Sequence, residues 1–82
     1  MSEKPRYFRV DHEYERGLVG ELVLRSENNF GHSWYTLKIL MPDPEDDTVL
    51  RTYRHGDVTE VKKPRMKAAR ESNAGKLRGQ PR

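Results

Sequence analysis

All seven aromatic residues of this 82-residue chain (Tyr7, Phe8, Tyr14, Phe30, Trp34, Tyr35 and Tyr53) precede residue 54. Alternating hydrophobic runs also stop soon afterwards, at Val61. A core can therefore form within residues 6–62, whereas the final segment has little to bury. A unit of that size removes only about 60% of its unfolded surface from water. The chain has no cysteine, so neither disulfides nor thiolate metal sites can staple it. A cysteine-free chain with no apolar run long enough to span a bilayer, and no signal-peptide core at its start, is expected to be soluble and cytoplasmic, or nuclear in a eukaryote.

Period-two alternation points to strands rather than helices. Tyr7–His12 places Phe8 and Val10 on one face. Leu18–Leu24 places Leu18, Leu22 and Leu24 on one face, with Val19 and Val23 on the other. Ser33–Met41 gathers Tyr35, Leu37, Ile39 and Met41, with Trp34, Thr36, Lys38 and Leu40 opposite. Thr48–Arg54 and Asp57–Val61 are shorter runs of the same kind. Their β-branched and aromatic residues suit a pleated, half-buried surface. Turn-forming residues separate the runs: Arg16-Gly17, Asn28–Gly31, the acidic Pro42–Asp47 stretch and His55-Gly56. Five short strands at this spacing predict an all-β domain, a small five-stranded antiparallel barrel of SH3-like type whose closure removes exposed edges.

Charge divides the chain at the same place. Residues 1–61 hold eight basic and twelve acidic residues, a net −4. Residues 62–82 hold Lys62, Lys63, Arg65, Lys67, Arg70, Lys76, Arg78 and Arg82 against Glu71 alone, a net +7. Residues 1–5 are expected to be disordered, 6–62 to form the barrel, and 63–82 to be a flexible basic tail, disordered or partly helical. Pro64 ends the last strand. Arg65–Ser72 can form about two helical turns, with Asn73-Ala74-Gly75 as a stop.

Trp34-Tyr35 opening a strand, Leu37–Leu40 continuing it, Tyr53 closing the next, the His55-Gly56 turn, and Val58 and Val61 after it resemble the centre of a Tudor domain, one of the SH3-like small barrels. Leu18–Val23 resembles the opening strand of that family. Where the family usually has Asp-Tyr-Gly at the turn, this chain has Tyr53-Arg54-His55-Gly56. The resemblance implies a binding module without catalysis. Ligands across the wider group include methylated basic side chains, peptides and nucleic acid.

The residues themselves offer little for catalysis. Asp11-His12-Glu13 is the one close carboxylate–imidazole cluster, and neighbours on a strand face opposite sides, so it makes a poor metal sphere. No nucleophile elbow or phosphate-cradling glycine loop is present. No enzyme activity, cofactor, metal or small-molecule substrate is expected. The eight basic tail residues are the candidate nucleic-acid contacts, gripping DNA or RNA backbone without base specificity because no aromatic accompanies them. No apolar face accompanies the charge either, so a membrane partner is not expected. Trp34, Tyr53, Asp57 and Glu60 form a second candidate surface, aromatic and acidic, suited to a cationic group on a partner protein. The function expected is a non-enzymatic binding protein acting on nucleic acid or a nucleoprotein complex. The alternative is a protein-interaction module, an adaptor or inhibitor, docking a basic protein on the acidic body.

Overall fold

The computed structural model describes residues 4–78, without the side chain of Arg78. Five strands form where alternation predicts them: β1 (Tyr7–Val10), β2 (Val19–Glu27), β3 (Ser33–Ile39), β4 (Leu50–Arg54) and β5 (Val58–Val61). One helix follows, α1 (Met66–Arg78). The sheet is antiparallel throughout, in the order β4-β3-β2-β1-β5.

The two edge strands, β4 and β5, are joined by only three residues, the 3-10 turn His55–Asp57. In a flat sheet those edges would stand about 19 Å apart, four strand spacings. Four Cα–Cα steps reach at most about 15 Å. The sheet must therefore curl until its edges approach, and Tyr53 of β4 and Val58 of β5 accordingly share one core with Phe8, Val10, Leu18, Tyr35, Leu37 and Ile39. Curling stops short of closure. No β4–β5 ladder forms, so the expected barrel is an open sheet, and His55-Gly56 is not a hairpin between paired strands.

The two central strands approach closely at Gly20, where an added Cβ would lie 2.9 Å from Leu37 Cβ and 3.0 Å from Lys38 O. The β2–β3 hairpin turns through Asn28, whose side-chain oxygen accepts from the Phe30 and His32 amides.

Register holds an extra residue at one place. Leu22 faces Leu37, but Leu24 faces Thr36, so Val23 is a β-bulge. Unbulged alternation would put Leu24 opposite Tyr35, on the inner face. The extra residue instead turns Leu24 outward, where it is 57% exposed, and brings Arg25 opposite Tyr35. The expected Leu18-Leu22-Leu24 face is thus corrected at its last member, because one inserted residue inverts every later side chain.

The basic segment, expected to be disordered or partly helical, is helical over residues 66–78, and the helix runs through Asn73-Ala74-Gly75, where a stop is expected. Asn73 is fully buried and accepts from the Val19 amide (3.1 Å) while donating to the carbonyls of Val19 (2.9 Å) and Leu40 (2.7 Å). Its side chain completes hydrogen bonds at the ends of β2 and β3, so it is unavailable to compete with the helix's own backbone. Arg70 donates to Met41 O (2.8 Å) and bidentately to Asp47 (2.7 and 2.8 Å). Ala69 is buried and Leu77 packs against the core. Tyr7 and Leu40, which alternation directs away from the inner face, are buried as well.

Candidate functional site

The eight basic candidates meet different fates. Lys62 and Lys63, in the link between β5 and α1, are exposed, as are Arg65 and Lys67 at the start of the helix. Val61 is the last β5 residue paired, opposite Tyr7, so this cationic stretch begins at the end of the sheet. None of the four enters an ion pair among the described residues. Arg70 is withdrawn: its side chain is 14% exposed and both its guanidinium arms serve Asp47. Lys76 is half-buried and donates to Ser72 Oγ at 2.7 Å. Its chain crosses Gly17, whose φ of +93° admits no ordinary side chain, and a Cβ there would lie 2.4 Å from Lys76 Cε. The Arg78 side chain and Arg82 lie outside the described residues.

Asp47 explains why Arg70 is drawn in. Within the acidic Pro42–Asp47 stretch, a 3-10 turn (Pro44–Asp46) directs Asp47 inward, where it accepts from the Met41 amide at 2.9 Å. The Arg70 guanidinium hydrogen-bonded to it holds its carboxyl below the usual aspartate range.

Three of the four aromatic and acidic candidates converge. Trp34, Tyr53 and Asp57 line one open cleft of about 300 Å³ with His12, Glu15 and Arg54. Glu15 comes from the β1–β2 connection, which reaches across to β4. Its carboxylate accepts from Arg51 Nη1 (2.6 Å) and from the Tyr53 hydroxyl. Burial, and then the hydrogen bond to Glu15, push the Tyr53 hydroxyl's pKa upward, so it stays a neutral donor. Tyr53 is buried, and only part of it reaches the cleft. The Arg54 guanidinium lies 5.3 Å from the Trp34 ring centre. The cleft's aromatic face thus already carries a cation. Glu60 stands apart, fully exposed and paired bidentately with Arg6 at 2.9 Å, and that pairing lowers its carboxyl's pKa.

A second cleft, of about 550 Å³, opens between the outer β2–β3 hairpin and the β4–β5 turn. Arg25, Ser33, Tyr35, Arg54 and His55 are among its lining residues. Sequence alternation missed this site because it assigned Leu24, and not Arg25, to the inner face.

Among the described residues no cluster of three or more His, Asp or Glu side chains is arranged to hold a metal. No helix among them is long and apolar enough to cross a membrane. No protein-family model, curated protein or solved structure matches the chain.

Proposed function

We propose that this chain is a non-enzymatic binding module that grips DNA or RNA through backbone phosphates, on an SH3-like, Tudor-like sheet. The observation that carries the nucleic-acid reading is the exposed quartet Lys62, Lys63, Arg65 and Lys67, which has no carboxylate partner among the described residues. Unpaired cations keep their charge available for an external polyanion, whereas Arg70 has spent its own on Asp47. The SH3-like reading is supported by a five-stranded antiparallel sheet curled enough for three residues to join its edge strands. A nucleic-acid partner and a cysteine-free chain both suit the cytoplasm, or the nucleus in a eukaryote.

Each phosphate contacted releases condensed counterions, so the logarithm of affinity for duplex DNA falls with the logarithm of salt by about 0.9 per contact. Four contacts give a slope near about −4, with little dependence on base sequence. The test is a salt titration of the full chain and of a variant with all four residues changed to Ala. The variant should lose most of the slope. An unchanged slope would defeat the reading.

A second reading is favoured by the convergence of Trp34, Tyr53 and Asp57. There, a basic side chain of a partner protein would replace Arg54 over Trp34. Trp34→Ala should then weaken protein capture while leaving the salt slope on DNA intact.

A further inference from the structure

We infer that the outer half of β2, residues 23–27, is a strand-pairing edge that takes a second copy of this chain. The inference stands apart from the nucleic-acid reading: it uses neither the exposed cations of residues 62–67 nor the Trp34 cleft.

β1 pairs with β2 only over residues 19–21, and the last bond on that side runs from the Leu22 amide to Arg6 O at 2.8 Å. Pro5 has no amide with which to extend it. Beyond Leu22, β2 is paired on its β3 side alone, and residues 23–27 are all exposed. Two bonds fix which way its backbone points. The Asn28 amide donates to His32 O, across the hairpin, and the Ile39 amide donates to Val49 O, towards β4. Alternation from either bond turns Leu24 and Ser26 towards β3 and leaves the N–H and C=O of Arg25 and Glu27 pointing outward. No other strand among the described residues pairs with them.

Such an edge accepts another extended strand. A two-fold antiparallel partner must match outward groups with outward groups. Centring the pairing on Arg25 sets guanidinium against guanidinium, and centring it on Glu27 sets carboxylate against carboxylate. Centring it on Leu24 engages the bulge. Centring it on Ser26 sets Arg25 opposite the partner's Glu27, and symmetry repeats the pair. Each such pair exchanges both backbone hydrogen bonds, and its side chains share one face of the sheet, so the opposite charges meet. Neither Arg25 nor Glu27 enters an ion pair among the described residues of its own copy. The same register carries the partner's hairpin turn, with Phe30 in it, towards Leu22 and Val23. There Pro5, Leu22, Val23 and Leu24 help line an open cleft of about 420 Å³. Phe30 is 85% exposed, and Val23 and Leu24 are 54% and 57% exposed, so the pairing covers apolar side chains that one copy leaves in water. The paired stretch is far shorter than the roughly 20–30 residues a side of a standard interface, so the dimer forms and parts with concentration.

The test is sedimentation equilibrium of the full chain at low salt, from about 10 μM to about 1 mM, a span matched to a weak complex. Mass should rise from monomer to dimer and no further. Hydrogen exchange over the same range should show the Arg25 and Glu27 amides gaining protection. Arg25→Glu and Glu27→Arg should each weaken the dimer about tenfold or more, because each sets like charges opposite one another. An equimolar mixture of the two variants should associate again, since each then meets opposite charges on the other. The double variant, with the two charges exchanged, should dimerise as the unmodified chain does. Phe30→Ala should weaken the dimer and keep the dispersed NMR spectrum of a folded sheet. The fourfold Lys62, Lys63, Arg65 and Lys67 alanine variant should leave it unchanged. A monomer throughout, a dimer indifferent to both charge reversals, or protection gained at β4 or β5 instead overturns the inference. Mass that keeps growing past the dimer overturns it too, because that edge would then have no fixed register.

Discussion

The sheet and the helix are held by opposite kinds of chemistry. The sheet's inner face is apolar: Val10, Leu18, Leu37 and Ile39 are fully buried, and any similar set of side chains would be driven together. The helix brings little apolar surface, with Ala69 as its buried hydrophobe and Leu77 at the margin. Its attachment depends on Asn73 and Arg70, each of which must meet specific acceptors in the right geometry. Apolar burial is non-directional and tolerant. Polar docking is directional and fails abruptly when one group is removed.

The largest expected effect lies in the sheet. Leu37→Ala should cost about 2–5 kcal/mol, much of the stability of so small a domain. Urea unfolding would measure it, and strand and helix amides should lose exchange protection together.

Asn73→Ala should cost about 3 kcal/mol, because it orphans the Val19 amide and the Leu40 carbonyl, while Val19 O keeps its bond from the Leu40 amide. Here the comparison predicts selectivity: amides of Ala69–Leu77 should lose hydrogen-exchange protection while those of β3 keep theirs. Equal losses in both regions would show that sheet and helix form one cooperative unit.

Asp47→Asn should cost about 2 kcal/mol, since it removes the charge from a half-enclosed bidentate pair. Acid sharpens the same point. The carboxyl pKa of Asp47 is held below its unfolded value of 3.8. The unfolded chain therefore takes up this proton first, and the contribution is present in full above that value. It is lost as pH falls through 3.8 and on through the folded pKa. Thermal melts from about pH 5 down to about pH 2, across the ordinary carboxylate range, should show this acid loss shrink in Asp47→Asn.

The smallest effect belongs to the surface. Glu60→Gln should leave the melting temperature nearly unchanged, because both partners of the Arg6–Glu60 pair are solvated. A larger loss would mean that the β1–β5 edge relies on polar contacts, as the helix does.

Much of the sheet was legible in the chain because a strand's pattern is local. Tyr35, Leu37 and Ile39 declare an inner face by spacing alone, and all three are buried. The turn at Asn28–Gly31 also follows from residue type, with Gly31 at a φ of +80°. The candidate sites were only partly legible. Trp34, Tyr53 and Asp57 do meet, but Arg70 looks like a free cation in sequence and is instead a structural one.

By itself the sequence determined five strands, the acidic and basic halves, and the apolar residues that make the core, since each depends on neighbours along the chain. Only the tertiary structure decided that the sheet stays open, that Val23 bulges so that Arg25 takes the inner place expected for Leu24, and that Asn73 continues a helix instead of ending it. A bulge is absorbed wherever cross-strand packing best accepts an extra residue. A buried asparagine is stable only where another segment offers backbone groups to satisfy it, here Val19 and Leu40, far away in the chain.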